Sequence, residues 1–142
     1  MEPKIDHLQF TVKDFTKAEE FYDQLMPILG FDLTMKSKGR VDKHDFDVVE
    51  YVHENLTIGI NSPRKEFESE NVHRRKPGSV HHLAFKANSK EEVDTLYQAV
   101  LKTKANIVAP PQLYPQHGEY YYALFFKDLD GIKLEIVYEK RD

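Results

Sequence analysis

Two histidines and a glutamate offer the clearest chemistry in this sequence. His7 and His82 lie on segments with strand-like alternation, and Glu135 lies in the middle of a third such segment, residues 133–137. In each segment the neighbouring apolar residues take the opposite face, so we expect the three polar side chains on the face away from a covering helix. Two histidines and a carboxylate suit Zn, Ni, Mn, Co or Fe(II), with coordination positions left for water or substrate. We therefore predict a divalent metal site formed by His7, His82 and Glu135.

The alternative is that these histidines are hydrogen-bonded structural residues. The three residues are far apart in the sequence, and such spacing is not a metal motif by itself. Glu135 argues for a ligand role, because an ionised carboxylate without a partner in a partly dry site costs several kcal/mol.

An internal repeat relates the two histidines. The segment Asp6 to Phe10 is similar to His81 to Phe85, which lies 75 positions later, and the similarity continues along the helix that follows each segment. Residues at equivalent positions of two similar modules converge on the axis between them, which favours a shared site. We predict one domain, residues 1–142, made of module one (residues 1–62), a linker (residues 63–79) and module two (residues 80–142).

Each module is predicted to have the order βαβββ. In module one, residues 5–12 alternate as a strand, residues 15–29 follow helical periodicity after a cap at Asp14 or Thr16, and Gly30 ends the helix. In module two, Ser89 begins a capping box for the second helix. The remaining predicted strands are residues 31–36, 46–53 and 56–61 in module one, and 107–109, 120–127 and 132–138 in module two. The predicted fold is α+β, with two modules pairing into a curved, mostly antiparallel sheet that encloses a cavity.

Composition excludes several classes of protein. The chain has 142 residues and a formal net charge of -4, which gives no overall cationic field for nucleic acid or an anionic membrane surface. It has no cysteine, which excludes disulfides, thiolate zinc sites and a cysteine nucleophile. No apolar run approaches the roughly 20 residues that cross a bilayer. We expect a cytoplasmic protein that acts on a small molecule.

These segments carry a family resemblance. Ile5 to Leu8 and Val80 to Phe85 resemble the ligand-bearing first strands of the vicinal oxygen chelate superfamily, also called the glyoxalase, bleomycin-resistance and extradiol-dioxygenase superfamily. Tyr121 to Glu135 is similar to the hairpin that ends in the family's ligand glutamate. The resemblance implies a glyoxalase-like fold, His7, His82 and Glu135 as metal ligands, a small-molecule substrate and a homodimer. It does not imply one reaction, because the superfamily includes isomerases, dioxygenases, thiol transferases and non-catalytic drug binders.

One position departs from part of the family. The residue equivalent to Glu135 in module one is Gly59, where glyoxalase I and related epimerases have a fourth protein ligand. The remaining set of ligands is similar to that of the fosfomycin thiol transferases and the extradiol dioxygenases. Gln9, where the thiol transferases would have threonine, argues against a simple assignment to them.

Lyase or isomerase chemistry on a small oxygen-chelating substrate is therefore the leading interpretation, with Glu135 and Tyr121 as catalytic residues. Tyr121 faces the predicted cavity if Leu124 and Phe126 pack on the helix, and simple aromatic packing is the alternative. His117 lies in a loop that could border the entrance. An extradiol-type dioxygenase and a protein that sequesters a drug or metabolite without catalysis are the competing interpretations.

Overall fold

Two compact units make up the chain in the computed structural model, which describes residues 1–141. The first unit runs from Met1 to Asn71, and the second begins at Val72. The predicted end of module two, residue 142, lies outside the described residues. The elements of the first unit are β1 (His7–Thr11), α1 (Phe15–Ile28), β2 (Ser37–Val41), β3 (Phe46–His53) and β4 (Leu56–Asn61). Those of the second are β5 (Leu83–Lys86), α2 (Lys90–Val100), β6 (Asn106–Leu113), β7 (Tyr122–Lys127) and β8 (Lys133–Tyr138).

The first unit is a four-stranded mixed sheet with α1 on one face. Its strand order is β1-β4-β3-β2, with β1 parallel to β4 and the other pairs antiparallel. The Asp14 carboxylate caps α1 by accepting a hydrogen bond from the backbone N–H of Lys17 at 3.1 Å. The apolar face of α1 is buried, as are alternate residues of the strands, which gives the unit its core: Phe10, Val12, Phe21, Tyr22, Leu25, Met26, Val49, Tyr51, Ile58 and Ile60.

The second unit repeats this arrangement. Its strand order is β5-β8-β7-β6, again with one parallel pair, β5–β8. Ser89 caps α2 by accepting from the backbone N–H of Glu92 at 3.1 Å. The core consists of helix residues and alternate strand residues, Val93, Val100, Leu124, Phe126, Leu134 and Ile136. The predicted α+β fold of two βαβββ modules is confirmed, and so are both helices and their caps.

The prediction of a strand at residues 31–36 is wrong. Leu33–Met35 form a short 3-10 helix, and β2 begins only at Ser37. The cause is local, because the Asp32 carboxylate accepts from both the backbone N–H and the hydroxyl of Thr34, at 2.9 and 2.8 Å. Asp and Thr compete with strand pairing through such bonds.

The short strand predicted at residues 107–109 belongs to a longer edge strand. β6 continues to Leu113 through two consecutive prolines, Pro110 and Pro111. Its pairing with β7 shifts register twice, between Ile107 and Ala109 and again before Gln112. Proline has no N–H to donate and is tolerated at a sheet edge, which explains both the irregular pairing and the short prediction.

A charged cluster fastens α1 to β2 and β3. The Lys36 ammonium lies 2.8 Å from an Asp23 carboxylate oxygen and 3.1 Å from Glu19, and Lys38 lies 2.7 Å from Glu19. The Tyr51 hydroxyl donates to Asp23 at 2.8 Å. Burial raises the pKa of Glu19, but the hydrogen bonds and charges of Lys38 and Lys36 outweigh it and leave the pKa below its usual range.

Within residues 1–141, none of the helices has the length and apolar character needed to cross a lipid bilayer.

Candidate metal centre

Glu135 is a buried carboxylate in the middle of β8. Its relative exposure is 1%, although its neighbours Leu134 and Ile136 belong to the core under α2. Strand alternation therefore directs the Glu135 side chain to the other face of the sheet. On that face the residues opposite it are Ala84 of β5 and Phe125 of β7.

Two residues of the second unit approach this carboxylate. The Tyr121 hydroxyl donates a short hydrogen bond to Oε1 of Glu135. Nε2 of His82 lies 3.4 Å from Oε2. Burial raises the pKa of Tyr121, and the hydrogen bond to Glu135 raises it further, so the phenol is protonated at neutral pH. The structure thus brings together three of the four residues predicted from the sequence.

The second oxygen of Glu135 lacks a partner. Oε2 is buried and has no hydrogen bond from any described residue. A buried acceptor of this kind destabilises the folded protein unless it accepts a hydrogen bond or binds a cation. A carboxylate oxygen that accepts no hydrogen bond, together with a nearby imidazole nitrogen, offers the kinds of ligand atom that a divalent transition metal prefers. His82 and Glu135 therefore fit part of a metal site.

His81 contacts His82, which the sequence did not predict. Their Nδ1 atoms lie 2.8 Å apart, and the rings meet edge to face with centroids 5.0 Å apart. β5 begins at Leu83, so strand alternation does not extend back to His81. When His82 donates from Nδ1, its Nε2 lone pair points away from His81 and is available to a ligand.

His7 belongs to the first unit. It is the first residue of β1, is exposed, and its Nδ1 lies 2.7 Å from Oδ1 of Asp6. In the part of the chain that the structure describes, no three His, Asp or Glu side chains are grouped so that they could hold a metal ion. A three-ligand site that includes His7 remains a prediction.

Strand register identifies Gly59 as the counterpart of Glu135. In the first unit Gly59 is opposite Gln9, two residues after His7. In the second unit Glu135 is opposite Ala84, two residues after His82. The two parallel pairs are therefore equivalent, in agreement with the alignment of the repeat.

Aromatic side chains border the Glu135 site. The Tyr114 ring lies edge-on to Tyr121 and Phe125, with centroids 6.4 and 5.2 Å apart, and the His117 ring lies 5.2 Å from that of Tyr121. The loop that carries His117 is closed by a backbone hydrogen bond of 2.8 Å from Tyr114 to Tyr121. The sequence pattern does not identify Tyr114 as a site residue, because the turn geometry of this loop, and not strand alternation, brings it to the site.

Known proteins resemble this chain over nearly its whole length. The sequence pattern of the Glyoxalase/Bleomycin resistance protein/Dioxygenase superfamily matches residues 4–136. "Uncharacterized protein YqjT" of Bacillus subtilis (strain 168) is 28% identical over 133 residues, covering 92% of this chain and 95% of that protein.

Two solved structures share the fold. One is a glyoxylase/bleomycin resistance protein/dioxygenase domain from Frankia sp. EAN1pec, 23% identical, with a TM-score of 0.78 over 99% of this chain and all of that one. The other is a glyoxalase/bleomycin resistance protein from Albidiferax ferrireducens T118, 23% identical, with a TM-score of 0.65 over 94% of this chain and 98% of that one. The agreement of sequence pattern, fold and repeated register shows that the chain belongs to the glyoxalase/bleomycin resistance protein/dioxygenase superfamily.

Proposed function

We propose that the protein is a metal-dependent enzyme that performs lyase or isomerase chemistry on a small organic substrate with two chelating oxygens. The observation that carries the proposal is the buried Oε2 atom of Glu135, which has no hydrogen-bond partner among the described residues and lies 3.4 Å from Nε2 of His82. Such an atom is an incomplete coordination or proton-transfer site.

In this proposal His7, His82 and Glu135 hold the cation. A bound divalent cation would supply Lewis acidity toward the oxygens of the ligand. This ligand set accepts Zn, Ni, Mn, Co and Fe(II).

The protein's own groups would orient the ligand and move a proton. Tyr121 fixes Oε1 of Glu135 and stays protonated, which leaves Oε2 free to ligate a cation or to accept a proton from the substrate. His81 contacts Nδ1 of His82 and supports the ring orientation that presents Nε2.

The experiment compares metal content and affinity in the wild type and in Glu135→Gln, which keeps the shape of the side chain and removes its charge. We expect stoichiometric metal in the wild type and an affinity at least about tenfold lower in the variant, since one charged ligand is lost. Glu68→Gln, at an exposed site, is the control and should bind metal as the wild type does. Equal affinities in Glu135→Gln and the wild type would contradict the proposal.

A second candidate is a binding protein without catalysis. The aromatic rings of Tyr114, Tyr121 and Phe125 favour it, because such a surface suits a planar ligand independently of any metal. The two candidates differ in whether removal of metal abolishes ligand binding.

A further inference from the structure

The residue directly before each candidate histidine ligand contacts that histidine at the same ring atom. In the first unit, Oδ1 of Asp6 lies 2.7 Å from Nδ1 of His7. In the second unit, Nδ1 of His81 lies 2.8 Å from Nδ1 of His82. The two units repeat one strand order and one register, so the two contacts are at equivalent positions. The repeat thus keeps a contact to Nδ1 although the contacting residue differs.

The contact in the first unit assigns the ring proton of His7. An ionised carboxylate has no hydrogen to donate and can only accept one. Asp6 therefore accepts a hydrogen bond from Nδ1 of His7, and this nitrogen carries the proton. In the neutral ring the other nitrogen, Nε2, then has a free lone pair, which is the form that binds a metal through Nε2.

The contact in the second unit could run in either direction, and Glu135 distinguishes the two. Nε2 of His82 lies 3.4 Å from Oε2 of Glu135, yet Oε2 accepts no hydrogen bond from any described residue. A proton on Nε2 would therefore lack a well-formed hydrogen bond, whereas a proton on Nδ1 is donated to His81 over 2.8 Å. The geometry favours a proton on Nδ1 of His82, with the Nε2 lone pair beside Oε2.

Two other histidines of the chain have the opposite arrangement. Nδ1 of His53 accepts from the backbone N–H of Asn55, and Nδ1 of His73 accepts from that of Arg75, both at 3.1 Å. A ring nitrogen that accepts a hydrogen bond carries no proton, so the proton of these neutral rings lies on Nε2. Donation from Nδ1 is therefore not a general property of histidine in this chain.

We propose that Asp6 and His81 are positioning residues, which hold the protons of His7 and His82 on Nδ1 and so present both Nε2 atoms to a cation. Ligands of bound metals are oriented in this way by a hydrogen bond to their second ring nitrogen. The role toward a cation rests on the proposed function, whereas the position of each proton is a property of the metal-free protein.

The test records long-range ¹H–¹⁵N NMR spectra of the metal-stripped protein at about pH 8, where neutral imidazole predominates. These spectra identify the protonated nitrogen of each ring, and the variants His7→Gln and His82→Gln assign the two signals. We expect His7 and His82 to be protonated on Nδ1. His53 and His73 should be protonated on Nε2 and serve as internal standards in the same spectrum.

Substitution of the two positioning residues should change the tautomer and the metal affinity together. In Asp6→Ala and His81→Ala the proton of the adjacent histidine should move toward Nε2, and zinc affinity should fall about tenfold. Asp6→Asn and His81→Asn keep an accepting oxygen on the side chain and should recover most of both properties. Glu20→Ala, at an exposed position of α1, is the control for loss of a carboxylate and should change neither.

Two results would overturn the proposal. One is protonation of His7 and His82 on Nε2 in the metal-stripped wild type, and the other is unchanged zinc affinity in both alanine variants. Thermal unfolding checks that each variant is folded, and if one alanine variant is not, the other position decides. A wild type that shows the expected tautomers but binds no zinc would count against the proposed function and not against the assignment of the protons.

Discussion

Gln9 and Gly59 lie opposite each other across the parallel β1–β4 pair, and the Gln9 side chain occupies the space into which a side chain at position 59 would project. A Cβ placed at Gly59 would lie 3.1 Å from Cγ and 3.4 Å from Oε1 of Gln9. Gln9 also donates to Asn61 at 3.3 Å, which holds its amide along the sheet. The first unit thus has a glutamine and a glycine where the second has Ala84 and Glu135.

The difference between these two residue pairs predicts how a fourth metal ligand could be introduced in the first unit. Gly59→Glu alone should gain little metal affinity, because the new side chain needs Gln9 to move. The double variant Gln9→Ala/Gly59→Glu recreates the pair found in the second unit and should bind Zn at least about tenfold more tightly than the wild type. A competition titration with a chromophoric chelator measures both affinities. Gln9→Ala by itself is the control, and a folded double variant with unchanged affinity would contradict the predicted position of the metal.

Tyr121→Phe should affect both stability and metal affinity. It leaves the buried Glu135 carboxylate without its hydrogen bond to Oε1, which should cost roughly 1–3 kcal/mol in the free energy of unfolding. Metal affinity should fall about tenfold, because a partner that orients a ligand is lost. Urea denaturation and zinc competition measure the two effects.

Tyr122→Phe is the matched comparison for this variant. Its hydroxyl also donates to a carboxylate, Asp94 at 2.7 Å, and this hydrogen bond raises the pKa of Tyr122 to about 12. The pair is exposed and lies by α2, so the variant should keep its metal affinity. If both variants lose metal affinity equally, Tyr121 has no particular part in the site.

Acid should weaken the first unit through Glu19. Because its pKa is lowered in the folded protein, the stabilisation by its ionised form is complete above the unfolded value of 4.5 and is lost as the pH falls through the lower folded value. Glu19→Gln should cost about 1 kcal/mol at pH 7 and should flatten the decline of stability below pH 4.5. Urea denaturation across this range measures it, with the exposed neighbour Glu20→Gln as control. A decline as steep in Glu19→Gln as in the wild type would show that other carboxylates cause it.

Removal of metal should separate the enzyme from the binding protein. With metal present, dicarbonyl, hydroxy-acid or catechol compounds should bind and one class should turn over, whereas the stripped protein should lose turnover. Calorimetry with and without metal, combined with a turnover screen, provides the measurement. Undiminished binding by the stripped protein, without turnover of any compound, would favour sequestration.

Sequence patterns sufficed for the fold where local and long-range preferences agree. The Ser89 cap and the apolar periodicity after it both indicate α2, and the repeat located β1 and β5 from few residues. The sequence patterns failed at Asp32 and Thr34. There the backbone N–H and the hydroxyl of Thr34 both donate to the Asp32 carboxylate, and these bonds outweigh strand propensity.

The candidate site, too, could be predicted from the sequence only where regular strand alternation applies. Alternation directed Glu135 to the face away from α2, and the condition attached to Tyr121 is met because Leu124 and Phe126 are both buried. The contact of His81 with His82 depends on the irregular segment before β5, where no periodic rule applies.

The two prolines of β6 have a consequence for how the protein behaves at high concentration. An exposed strand edge offers a row of N–H and C=O groups that can recruit a strand from another molecule, which leads to aggregation. Pro110 and Pro111 have no backbone N–H, and because successive N–H groups of a strand point to opposite sides, one of the two removes a donor from the open edge. The register shifts beside them interrupt the regularity of this edge. The border of the sheet is thereby protected against intermolecular strand addition. Pro110→Thr/Pro111→Val, which restores both donors, would make the same edge a starting point for assembly.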